Sequence, residues 1–284
     1  MEDKELKALI SLLDDPDHDV ARIVEENLLA CGASAIPKLE QTWEQTANQA
    51  LQRRIEDMIH NIQFHQTKQK LRKWIDTGAD ELIEGAYWVD HYRYPELTFD
   101  EFSNRIDVLR KDVTDELCPY ITPLEKVKVL NHVFYDVHHF ILPSFRENHF
   151  SPEHSFLSYT MQSKKGNSVS LALLYAIVAQ MNGLPIYGVN LPKNFILAYL
   201  NQPISTEKNV LFYINPFNKG IVLGKREIDY FVHQYNLKSQ PFFYEPCSNV
   251  EIIRRLLTDL LLAYRKLNMN DNAEDIKHLL RLFM

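Results

Sequence analysis

Three side chains within one stretch have the types and spacing to hold a metal. In residues 123–140, PLEKVKVLNHVFYDVHHF, His132, Asp136 and His139 stand at i, i+4 and i+7, so an unbroken helix would put two imidazoles and a carboxylate on one face. Val129, Val133 and Phe140 supply a separate core-facing stripe, which favours a solvated or internally hydrogen-bonded His/Asp face, and no metal is expected. Cys31, Cys118 and Cys247 are odd in number and lack CxxC spacing, so neither a disulfide framework nor a thiolate zinc site follows. His149 and His154 flank a Ser-Pro turn; either could serve as a recruited base, but both read as surface residues. The basic run Lys68, Lys70, Arg72 and Lys73 has no interleaved aromatics, and the chain carries 31 basic against 38 acidic side chains, net −7. A solvated helix face fits that run better than a nucleic-acid contact, and no nucleic-acid partner is expected.

The elements that must position any site are mostly helical. With 8 glycines in 284 residues there are few positions for positive-φ hairpin turns, which argues against an all-β sandwich or barrel. Apolar residues recur at helical spacing in 4–13, 20–31, 35–45 and 51–64; Pro16 breaks the first pair, Asp17 is placed to cap the second helix, and Gly32 to end it. A polar connector is expected over 66–73. Further helical segments follow at 81–93 and 99–113, and Pro123 is suited to open another. Residues 167–182 are apolar on nearly every side, as in a helix buried mid-domain, with Ser168, Ala172, Ala176 and Ala179 leaving room for a sheet to approach. β-rich runs at 185–191, 195–200 and 210–214 come next, then two amphipathic helices in 250–284 broken at 268–271. A buried helix leading into short strands makes an α+β core. The longest apolar run, 169–181, is shorter than the roughly 20 residues a membrane helix needs. MEDKELKALI has neither a basic n-region nor a cleavage site, so a cytoplasmic protein without membrane association is expected.

Several stretches carry resemblances. LISLLDDPDHDVARIVEENLLACGASAIPKLEQTW resembles a HEAT-type helical repeat. Ser155-Phe156-Leu157, Lys165-Gly166, Gly183-Leu184-Pro185, Gly188-Val189-Asn190-Leu191-Pro192 and Asn215-Pro216-Phe217-Asn218 resemble the core of the transglutaminase-like superfamily, in detail its bacterial SirB-type branch, in which a tetratricopeptide-like C-terminus follows. The resemblance implies a mostly helical α+β fold with a papain-like core, a buried helix against a small antiparallel sheet. Together the two resemblances imply three segments: HEAT-like helices over 1–66, the transglutaminase-like core over 67–246 and a tetratricopeptide-like helix pair over 247–284.

Active members of that superfamily use a cysteine at the start of the buried helix, a histidine on a following strand and an aspartate on the next. The resemblance places Ser168, Asn194 and Asn215 at those three positions. A serine hydroxyl needs a neighbouring base to become a nucleophile, a neutral amide accepts no proton, and an uncharged Asn215 cannot support an imidazolium. The expectation is therefore a pseudoenzyme without cofactor, whose degenerate groove, lined by Ser168, Asn194 and Asn215, binds a protein or peptide. Two readings compete with it. In one, Ser168 merely caps its helix while Asn194 and Asn215 satisfy buried backbone groups. In the other, a hydrolase or acyltransferase recruits new groups, either Ser168 with a nearby histidine or a metal on His132, Asp136 and His139. The oligomeric state is not legible in the sequence.

Overall fold

Apolar spacing, proline breaks and capping residues lay out a first compact unit, Met1–Lys73, and a second, Trp74–Met284, in the computed structural model. The structure describes residues 3–143, 151–201 and 210–284. In the first unit α1 (Asp3–Ser11), α2 (His18–Cys31) and α3 (Ile36–Gln45) precede α4 (Gln49–Asp76), which belongs to it as far as Lys73. Asp17 caps α2 as its sequence position suggests, its carboxylate accepting the Asp19 N–H at 2.9 Å, and Gly32 closes the helix at φ +58°. Ile10, Leu13, Val24, Leu28, Leu39, Ile55, Met58 and Ile62 form the core of this unit. The polar stretch 66–73 is not a connector. It lies inside the 28-residue α4, which contains no proline or glycine and carries buried Thr67, Leu71 and Trp74 onward at helical spacing.

The second unit is built on one helix and one sheet. α5 (Leu82–Arg93), α6 (Phe99–Glu116), α7 (Pro123–Asn131) and α8 (Leu157–Ser163) lead to α9 (Ser168–Met181), whose residues Val169–Ala179 are all buried. α6 and α7 both open with reciprocal capping boxes, Thr98 with Glu101 and Thr122 with Glu125. Strands β1 (Ile186–Val189), β2 (Ile196–Leu200), β3 (Val210–Asn215) and β4 (Ile221–Leu223) form an antiparallel meander in sequence order. β1 and β2 pack on α9. Gly188 marks a close approach: a Cβ there would lie 2.6 Å from the Phe195 ring and 2.9 Å from Ile252 Cδ1. β4 and α10 (Lys225–Gln234) are additions the sequence patterns did not signal. This mostly helical α+β arrangement, a buried helix against a small antiparallel sheet, is the expected one.

The C-terminal pair, α11 (Asn249–Lys266) and α12 (Asn270–Leu280), falls in the same compact unit, with α11 packed on α5 and α9. Asn268 makes the turn between them at φ +58°, a backbone region asparagine tolerates better than most residues. Among the described residues no helix is long and apolar enough to cross a membrane.

Candidate functional site

Ser168 is the first residue of α9 and half-buried. The reading in which it caps that helix is overturned: Asn167 is the cap, its side-chain oxygen accepting the N–H groups of Val169 at 3.0 Å and Ser170 at 2.8 Å. Asn167 also donates its amide to Ser155 Oγ at 2.8 Å, tying the helix start to the segment before α8. Asn194 sits in the turn between β1 and β2, beside Lys193 at φ +63°. Asn215 ends β3, opposite Ile221 of β4, and its Oδ1 is buried without a hydrogen-bond partner among the described residues.

Ser168 and Asn194 line one cavity of about 630 Å³. Asn215 does not line it, although Phe217, two residues on, does. Neither the Ser168 hydroxyl nor the Asn194 amide has a side-chain hydrogen bond to another described residue, so both are available to a ligand. The described lining contains no cysteine and no histidine.

Sequence reasoning missed the opposite wall. Asp259, Leu262, Ala263 and Lys266 of α11 line the same cavity at i, i+3, i+4 and i+7, one helical face distinct from the buried stripe that includes Leu256, Leu257, Leu260, Leu261 and Tyr264. That spacing was a readable signal. Asp259 is held by Arg255, whose Nε donates to Oδ1 at 3.1 Å, and Arg255 in turn donates to Asn190 Oδ1 at 2.8 Å. α11 is thereby stapled to the end of β1. Burial lifts the Asp259 carboxyl above the usual carboxylate range, against the opposing pull of the Arg255 guanidinium.

A second buried carboxylate fixes the start of α8. Asp90 of α5 is fully buried, and its oxygens accept the N–H groups of Leu157 at 2.8 Å and Ser158 at 2.6 Å, at the start of α8. A capping group normally comes from the residue just before the helix; here it arrives from another helix, so no local motif announces it. Burial pushes the Asp90 carboxyl up to about 6, with the hydrogen bonds from Ser158 and Leu157 and the Arg105 charge opposing.

The other candidates fall outside this arrangement. The α-helix opened by Pro123 ends at Asn131 and passes into a π turn over His132–Val137, after which His139 stands at φ +57°. The extra residue in the turn breaks the i, i+4, i+7 face on which the metal alternative rested. His132 Nδ1 lies 3.2 Å from Asp136 Oδ2, His139 Nδ1 lies 3.4 Å from the Tyr135 carbonyl, and no three ligating side chains among the described residues form a metal-holding group. His154 is buried rather than on the surface, edge-on to Tyr159 with ring centroids 5.6 Å apart; its carbonyl accepts the Ser170 hydroxyl, and it does not line the cavity. His149 lies outside the described residues.

A family model described as the transglutaminase-like superfamily matches residues 100–258, more than half of the chain and the span holding α9, the sheet and Ser168. The chain belongs to the transglutaminase-like superfamily. Among similar proteins, this transglutaminase-like chain is 29% identical over 147 residues to a UPF0162 protein of Vibrio cholerae, 52% of each chain. It is 23% identical over 213 residues to a UPF0162 protein of Xylella fastidiosa, 70% of each. It is 23% identical over 157 residues to F-box only protein 21 of Mus musculus, covering 55% of this chain and 24% of that protein. The aligned region thus spans about a quarter of the F-box protein and about half of the Vibrio relative. No solved structure matches the chain with comparable significance.

Proposed function

We propose that this chain is a catalytically inactive transglutaminase-like protein of the SirB-type branch, a cytoplasmic module that binds a protein or peptide in the cavity at the start of α9. HEAT-like helices precede its core, and α11 and α12 form a tetratricopeptide-like pair. The observation that carries the reading is the make-up of the cavity around Ser168: hydroxyls and amides from Ser155, Ser168 and Asn194, apolar surface from Phe217 and Leu262, and no thiol or imidazole among the described lining residues. The Ser168 hydroxyl has no hydrogen bond to a base among the described residues, and hydroxyl and amide groups beside apolar walls, with the charged Lys193, Asp259 and Lys266 around them, suit the amides and side chains of a polypeptide. The rival hydrolase or acyltransferase built on Ser168 needs an imidazole that the described lining lacks.

The test has two parts. Purified protein is exposed to a fluorophosphonate and to a chloroacetamide and examined by intact mass and peptide mapping; no label at Ser168 is expected, and a label there removes the claim of inactivity. Affinity purification then compares wild type with Ser168→Ala and Asn194→Ala. Loss of a co-purifying partner in both variants supports binding in the cavity, and undiminished recovery removes it.

A further inference from the structure

Away from Ser168, a second cavity of about 460 Å³ lies between α6 and the end of α8. Arg105, Val108 and Leu109 of α6 line it, with His138 from beyond the π turn and Met161 and Lys164 from α8 and its end. Three of these residues are basic and none is acidic, in a chain whose net charge is −7.

The charges are unevenly compensated. His138 Nε2 lies 2.6 Å from Asp112 Oδ2, so that ring nitrogen is already engaged. Arg105 and Lys164 have no ion-pair partner among the described residues. Arg105 feels Glu101, one helical turn away, and Asp90 at longer range, without touching either. The Lys164 ammonium rests 4.8 Å from the centre of the Phe140 ring, and burial lowers its pKa, as expected of a cation whose lost hydration nothing opposite in sign replaces. Lys164 also holds φ +62°, a left-handed backbone that is strained for an ordinary side chain, at a C-cap where glycine is usual. Beside these cations Leu109 and Met161 are buried while Val108 is 54% exposed, so the cavity has an apolar wall next to its charged rim.

We propose that this cavity binds a small oxyanion carried on an apolar group, a phosphate monoester or a carboxylate, with Arg105 and Lys164 on the anion and Val108 and Met161 against the apolar part. The site shares no lining residue with the cavity at Ser168 and stands or falls independently of the function proposed for it.

The full chain is titrated calorimetrically with phenyl phosphate, benzoate, inorganic phosphate and, as the uncharged control, phenol. Saturable binding of phenyl phosphate or benzoate is expected, about tenfold tighter than inorganic phosphate because the ring is buried, with no saturable binding of phenol. The tighter of the two aryl anions assigns the headgroup. Arg105→Gln and Lys164→Gly, the second chosen because glycine accepts the left-handed backbone, are each expected to weaken binding about tenfold or more through loss of a charge-assisted hydrogen bond. Absence of saturable binding for both aryl anions at millimolar concentration overturns the proposal, as does unchanged affinity in Arg105→Gln.

Discussion

Asp90 is the residue whose ionisation the fold most visibly resists, and its replacement by asparagine isolates that cost. The carboxyl rises from 3.8 to about 6 on folding, a displacement of roughly two units, which at 1.36 kcal/mol per unit is about 3 kcal/mol. The folded state is the more protonated one between those values, so stability falls as pH rises from about 4 to about 6 and then levels. The contribution is therefore fully favourable below the unfolded value and lost above the folded one. Asparagine cannot titrate; it keeps one acceptor for Leu157 or Ser158 but turns an N–H toward the other, a cost independent of pH. Urea unfolding of wild type and Asp90→Asn, followed by far-UV circular dichroism at half-unit steps from pH 4 to pH 7.5, gives a difference curve in which other titrating groups cancel. The wild-type advantage is expected to shrink by about 2.5 kcal/mol across that window, pH 4 lying just above the unfolded value, with most of the change complete near pH 6. A difference curve that is flat, or that rises with pH, refutes the placement of Asp90 as a buried cap of α8.

The start of α9 offers a matched pair: Asn167→Ala is expected to cost about 1–2 kcal/mol in chemical denaturation because two backbone N–H groups lose their acceptor, while Ser168→Ala, next to it, stays within about 0.5 kcal/mol. In the turn between α11 and α12, Asn268→Ala is expected to lower stability by about 1 kcal/mol and Asn268→Gly to leave it nearly unchanged, since only the alanine is strained at φ +58°; equal losses for the two contradict this.

What was legible in the chain follows the range of the interaction responsible. Asp17, Pro123 and Gly32 act on their own or neighbouring turns, and each does what its position suggests. The buried helix and the first three strands were visible in their unbroken apolar runs. Connector and continuous helix were harder to separate at 66–73, because two buried side chains, Thr67 and Leu71, in a polar run look like solvent-facing sequence until their spacing is counted. The π turn after Asn131 was not legible, since a single inserted residue leaves composition unchanged while rotating every side chain beyond it. Within the site, Ser168 and Asn194 line one cavity and Asn215 does not, and the wall from α11 comes from a segment whose role a core motif does not encode.

That wall makes the tail of the molecule part of its interior economy. A guest lodged at Ser168 would touch Asp259 and Lys266 at the same time, and so would bridge two stretches of polypeptide far apart along the backbone. Occupancy and docking of α11 would then be thermodynamically linked: each molecule bound would make that helix harder to peel away, and a protease nicking ahead of Asn249 would remove one wall of the cavity.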